Sequence, residues 1–147
     1  MRLMGLDIGD KTIGVAVSDP LFISAQGITT IERIGIKKDT SKVLEFIREY
    51  EVGTVISGLP LMLDGSDSPQ TEKVREFVQR LENKARSNGL KLDFVFQDER
   101  FTTKIAENVL IDAGMRREKR KEIIDRQAAV IILQSYMDAQ RRGQEQH

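Results

Sequence analysis

Two apolar runs joined by a short turn set the tightest limit on how this chain folds. Leu3-Met4-Gly5-Leu6-Asp7-Ile8 and Ile13-Gly14-Val15-Ala16-Val17-Ser18 flank the turn residues Gly9-Asp10-Lys11. A nearly continuous apolar run reads as a strand covered on both faces. A parallel connection needs a crossover of a dozen or more residues, so these two strands must pair as an antiparallel hairpin. The first of them carries Asp7. A carboxylate in a buried strand is costly unless it is satisfied or used, and Gly9 lets another group approach the backbone closely. Taken alone, Asp7 fits a structural aspartate capping a neighbouring loop as well as it fits a functional one.

The rest of the chain supplies the cover. A third short strand is expected near residues 27–31. Val43, Leu44, Phe46, Ile47 and Tyr50 recur at helical spacing, with Asp39, Thr40 or Ser41 as candidate caps. Thr54-Val55-Ile56-Ser57-Gly58 is a short β-branched run. Ser68-Pro69 starts a helix whose apolar face is Val74, Phe77, Val78, Leu81 and Ala85, and Asn88-Gly89 stops it. Leu92 to Phe96 form another strand, ending in Gln97-Asp98-Glu99-Arg100. Two helices are expected after it, over about 103–113 and 117–141. The order β-β-β-α-β-α-β-α-α predicts an α/β domain over residues 1–141, a mixed sheet with helices on its faces. Residues 142–147 read as a disordered tail. Segment 61–68 has loop composition and reads either as a plain surface loop or as a flap over substrate.

Three carboxylate positions draw attention. Asp7 lies at the end of a central strand. Asp98-Glu99 ends the last strand directly before a helix, where acidic residues favour the positive end of the helix dipole but where α/β sites also assemble. Asp125 shares a helical face with Ala128, Ala129, Ile132 and Tyr136, the side expected to pack on the sheet. Clustered carboxylates cannot all remain ionised without a compensating cation. Oxygen ligands without His or Cys select a hard ion, Mg²⁺ or Mn²⁺, which suits phosphodiester hydrolysis.

Composition narrows the alternatives. There is no cysteine, and the one histidine is His147, so thiolate chemistry and a buried Ser-His-Asp triad are excluded. The formal net charge is zero, so nucleic acid would have to be held by a local patch. Asp7 and Asp10 interrupt the first apolar run, which does not read as a signal peptide, and no stretch is apolar enough to span a bilayer. A cytoplasmic setting without membrane association is the expectation.

Four segments together, GLDIGDKTIGVAVSD, ISGLP, DERFTT and RREKRK followed by IDRQAAVIILQSY, resemble the YqgF/RuvX family. This is the Holliday-junction-resolvase-like branch of the ribonuclease H superfamily. The resemblance covers nearly the entire chain. It implies a ribonuclease H-like fold, with a five-stranded mixed sheet whose first three strands are antiparallel. It also implies a metal-dependent nuclease, acting on the 5′ end of the 16S ribosomal RNA precursor or, in an older proposal, on branched DNA in recombination. By the same resemblance Asp7 matches the first-strand carboxylate, Asp98 and Glu99 the acidic pair of the DER motif, and Asp125 the helix carboxylate. Asp7, Glu99 and Asp125 are then the expected metal ligands. Many members of the wider superfamily carry a carboxylate at the end of the fourth strand, where this chain has Ser57-Gly58-Leu59-Pro60. Asp98 or Glu99, one strand further on, must serve instead.

Candidate phosphate contacts are Lys11 in the hairpin turn, Arg100 beside Glu99, and the cluster Arg116, Arg117, Lys119, Arg120 and Lys121. With few aromatic residues, recognition of structured RNA by backbone and shape is expected, without a base-stacking platform. Two other classes compete: an RNA-binding ribosome-assembly factor with a vestigial metal site, and an actin- or kinase-like ATP-binding domain, for which a second lobe is missing. Monomer and homodimer both stay open.

Overall fold

The computed structural model describes residues 1–98 and 117–145, with side chains described over 1–98 and 127–141. In chain order the elements are β1 (Arg2–Ile8), β2 (Thr12–Ser18), β3 (Ala25–Glu32), α1 (Ile36–Glu49), β4 (Val52–Leu59), α2 (Pro69–Ser87), β5 (Asp93–Asp98) and α3 (Arg117–Glu145). The helix expected over 103–113 lies outside the described residues. The five strands form one sheet in the order β3-β2-β1-β4-β5, so the strand bearing Asp7 is central. β1–β2 and β2–β3 pair antiparallel, and β1–β4 and β4–β5 pair parallel. This is the mixed sheet that the hairpin and the βαβ crossovers demand.

Strand alternation divides β1 between two cores. Met4, Leu6 and Ile8 join Ile13, Val15 and Val17 of β2 and Val55 of β4 beneath α1 and α2. Those helices bring down Val43, Leu44 and Ile47, and Val74, Phe77, Val78, Leu81 and Ala85. On the opposite face Ala16 and Ile56 pack against Ala129, Ile132, Leu133 and Met137 of α3, with Leu3, Val95 and Tyr136 at the margin. Gly5 belongs to this second face. A Cβ there would stand 2.8 Å from the Ala129 carbonyl oxygen and 2.8 Å from the Leu133 Cβ, so α3 lies directly on the backbone of β1.

Two boundaries differ from expectation. Helix α1 begins at Ile36 with Gly35 as its cap residue, ahead of Asp39, Thr40 and Ser41. Asp39 instead sits in the first turn and reaches back. Its carboxylate accepts from the backbone N–H of Ile34 (3.1 Å) and Gly35 (3.4 Å), serving the exposed donors from inside the helix. Helix α3 runs to Glu145, past the expected end at 141, so residues 142–145 are helix and not tail. Gln140, Arg141, Arg142, Gln144 and Glu145 all favour helix, and one internal Gly143 costs only about 1 kcal/mol relative to alanine. By contrast, α2 starts where expected: the Ser68 hydroxyl accepts from the Thr71 N–H, and the Thr71 hydroxyl accepts from the Ser68 N–H.

Replacing Gly5 by alanine should force α3 away from the sheet. We expect a loss of about 1–3 kcal/mol in unfolding free energy, read from urea denaturation, whereas Gly89→Ala, where no atom lies within 4 Å of an added Cβ, should act only through its positive φ.

Candidate functional site

β1, β4 and β5 run parallel, so their carboxyl ends meet at one end of the sheet. Asp7 stands there on the α3 face, one pleat beyond Gly5, and is partly exposed. Its cross-strand partner on β2 is Gly14, whose partner on β3 is Thr30. On the other side Leu6 pairs with Ser57, so Gly58 is the next residue along β4, and Gly58 pairs with Gln97 on β5. Asp7 is therefore the carboxylate of a row whose flanking positions, Gly14 and Gly58, carry no side chain. The Thr30 hydroxyl in the same row is buried without a hydrogen-bond partner among the described residues.

Asp98 lies at the same end but on the other face. It pairs with Leu59, part of the core under α1 and α2, and shares its strand face with Phe94 and Phe96, which face α2. The sheet thus separates Asp98 from Asp7. Glu99, Arg100 and Arg116 lie outside the described residues. Asp125 lies in α3 one turn before Ala129, and Arg117, Lys119, Arg120 and Lys121 lie in its first turns; the side chains of these five fall outside the description. Among the described residues no three acidic groups gather as a metal site would require. Asp7 nevertheless offers carboxylate oxygens, which suit a hard ion such as Mg²⁺ or Mn²⁺, while Thr30 and Gln97 each lie two strands away.

The turn after Asp7 is held from outside the hairpin. Gln70 of α2 donates to the Ile8 carbonyl (3.4 Å), and Lys73 of α2 pairs with Asp10 (3.3 Å). Arg33 grips the turn twice: its guanidinium donates to the Gly9 carbonyl (2.9 Å) and its backbone N–H to the Lys11 carbonyl (2.9 Å). Within the turn, Gly9 N–H donates to the Thr12 carbonyl (2.9 Å). Lys11 itself is exposed. None of these holding residues stands out in the sequence, where Asp39 reads as a candidate helix cap. The only sequence signal for Arg33 and Asp39 is that both fall close to the short link between β3 and α1.

The loop after β4 is cross-tied as well. Met62 N–H donates to the Ser66 carbonyl (2.8 Å), Gly65 N–H to the Met62 carbonyl (2.8 Å), and Ser66 donates to Asp64 through both its N–H (2.9 Å) and its hydroxyl (2.6 Å). Arg75 pairs with Asp67 through two nitrogens (3.1 and 3.2 Å), and the Thr71 hydroxyl donates to the Pro60 carbonyl (2.6 Å). These bonds make 61–68 a formed turn anchored on the start of α2, presenting Met62 and Leu63 to solvent.

The RuvX family profile, described as Holliday junction resolvase, matches residues 1–139. Relatives whose names describe a pre-16S rRNA nuclease include one from Thermoanaerobacter pseudethanolicus, 49% identical over 142 residues, which span 96% of this chain and 99% of the relative. Others come from Clostridium novyi (46% identical; 95% and 99% covered) and Clostridioides difficile (49% identical; 93% and 94% covered). Among solved structures, Thermus thermophilus RuvC in complex with a Holliday junction substrate matches with a TM-score of 0.57 at 16% identity, covering 95% of each chain. The fowlpox virus resolvase with Holliday junction DNA matches with a TM-score of 0.56 at 17% identity, covering 95% of this chain and 98% of the viral one. At such identities these structures establish the fold, the ribonuclease H-like α/β architecture of the resolvases.

Changing Ser68 to alanine removes the cap that anchors the loop to α2. It should lower stability by about 1 kcal/mol, and amide exchange should quicken at Met62 and Gly65.

Proposed function

Because the chain belongs to the RuvX family, we propose that it is a divalent-metal-dependent nuclease that matures the 5′ end of the 16S ribosomal RNA precursor, with Asp7, Glu99 and Asp125 as the metal ligands. The carrying observation is the position of Asp7: a carboxylate at the carboxyl end of the central strand, between two glycines, beneath α3. The antiparallel run of α3 over β1 supports the inclusion of Asp125. Leu3 lies with Met137, and Gly5 with Leu133 and Ala129. Asp125 is the next residue in that row of fours, and Asp7 is the next on its face of the strand. Asp98 faces away from Asp7 across the sheet, which favours Glu99, its partner in the acidic pair, as the third ligand.

A Mg²⁺ or Mn²⁺ ion held by these carboxylates would supply an activated water and stabilise the leaving oxygen. The chain's own part is to hold Asp7 fixed, to keep the neighbouring strand positions clear for a phosphate, and to neutralise the backbone. Lys11 in the turn, Arg100, and the group Arg116, Arg117, Lys119, Arg120 and Lys121 are the assigned phosphate contacts, with Asp98 close to the same end of the sheet. The relatives' names favour precursor ribosomal RNA over branched DNA, and that substrate implies a cytoplasmic site of action. Among the described residues no helix is long and apolar enough to cross a membrane.

Purified protein incubated with 5′-extended 16S precursor and with a four-way DNA junction, with and without Mn²⁺, tests the reading. Asp7→Asn should cut the cleavage rate by more than about 100-fold, since even an outer partner of a metal ligand is worth roughly 10–100-fold, while circular dichroism stays native. Cleavage that survives both this change and a chelator would rule the mechanism out. Preference for the DNA junction would move the substrate to recombination. Neutralising Arg116, Arg117 and Arg120 should weaken RNA binding and flatten its dependence on salt, by about one unit of log–log slope for each phosphate deprived of its cation.

A further inference from the structure

Arg33 and Asp39 form a largely buried ionic link that ends on the turn behind Asp7. The Asp39 side chain is 1% exposed and Arg33's is 18% exposed. Arg33 Nε donates to Asp39 Oδ2 at 3.1 Å, its Nη1 donates to the Gly9 carbonyl at 2.9 Å, and the guanidinium lies over the Phe77 ring, 5.2 Å from its centre. One planar cation thereby touches α1, α2 and the β1–β2 turn together. A buried pair of this kind contributes little net stability compared with apolar residues of similar size, so stability alone is a poor account of it. What it does supply is a fixed direction. The guanidinium fork is rigid, and with Asp39 on one side and Phe77 beneath, it is aimed at the Gly9 carbonyl.

We infer that Arg33, oriented by Asp39, is a positioning residue for the reaction: it clamps the turn that follows Asp7 and so sets the Asp7 carboxylate and the Lys11 ammonium for metal and phosphate. This rests on the assignment of Asp7 above. Gln70 and Lys73 hold the neighbouring turn positions, but at 3.4 and 3.3 Å and, for Lys73, from an exposed side chain. Arg33 holds the turn from a site largely out of water, fixed by a buried partner. A lysine in its place keeps the charge beside Asp39 yet, as a single-point donor, cannot serve Asp39 and Gly9 at once in the same geometry.

The test compares Arg33→Lys, the apolar double variant Arg33→Met/Asp39→Leu, and Asp7→Asn with the wild-type protein. Three quantities are read: melting temperature, amide exchange at Gly9 in metal-free protein, and the Mn²⁺ concentration for half-maximal cleavage of 5′-extended precursor RNA. We expect Arg33→Lys to melt within a few degrees of wild type. Its Gly9 amide should exchange at least tenfold faster, and its Mn²⁺ requirement should rise at least tenfold. The double variant should show the same two defects whatever its melting temperature. Wild-type exchange and Mn²⁺ dependence in Arg33→Lys, with Asp7→Asn inactive, would overturn this inference and leave the Asp7 site standing. Full activity in Asp7→Asn would remove the site and the inference together.

Discussion

The close approach of α3 to β1 at Gly5 governs the geometry of everything at the sheet's carboxyl end. The Ala129 carbonyl and the Leu133 Cβ occupy the space a side chain would fill. The helix can therefore lie only at one height and one rotation over the central strand. That contact fixes which helix row faces the strand, and every residue in the row inherits its partner by simple counting. Interiors packed at crystalline density transmit such a constraint without slack. A glycine thus decides the height and rotation at which the helix crosses the central strand, two residues before Asp7.

The second constraint comes from the other side of the sheet. α1 and α2 cover the Met4–Leu6–Ile8 face with a large apolar cluster, and at its edge charged groups enter, at Arg33 and Asp39. Both are placed where the hairpin turn emerges from the core. The face with the larger hydrophobic cluster thus serves as the anvil, and the face with the smaller cluster carries Asp7. Ser57, buried on the anvil face without a hydrogen-bond partner among the described residues, is a polar exception for which we have no physical account.

Much of this architecture was legible in the residues. Apolar runs too close for a crossover required the β1–β2 hairpin, and the period of Val74, Phe77, Val78, Leu81 and Ala85 marked the buried face of α2, to which the structure adds Thr71. The small residues Ala128 and Ala129 marked the face of α3 that touches the sheet. Boundaries were harder. Asp39 has the chemistry of a cap, and only three-dimensional proximity shows that it serves the donors behind it and an arginine besides. Nor could sequence tell which face Asp98 takes, because strand parity depends on its pairing with Leu59. The clamp on Gly9 was invisible for a related reason: its parts come from positions 9, 33, 39 and 77, and no local pattern joins them.

The two unequal cores also set an order of assembly. Residues 1–98 contain every described strand and both helices of the larger cluster. The smaller cluster waits for Ala129 to Met137, which leave the ribosome last among its members. Until then Leu3, Ala16, Ile56 and Val95 form an uncovered stripe, and Asp7 has no helix above it. A nascent chain in that condition is a sheet covered on one face and bare on the other. Closure of the second face is thereby deferred until α3 emerges, by nothing more than the place of one helix along the chain.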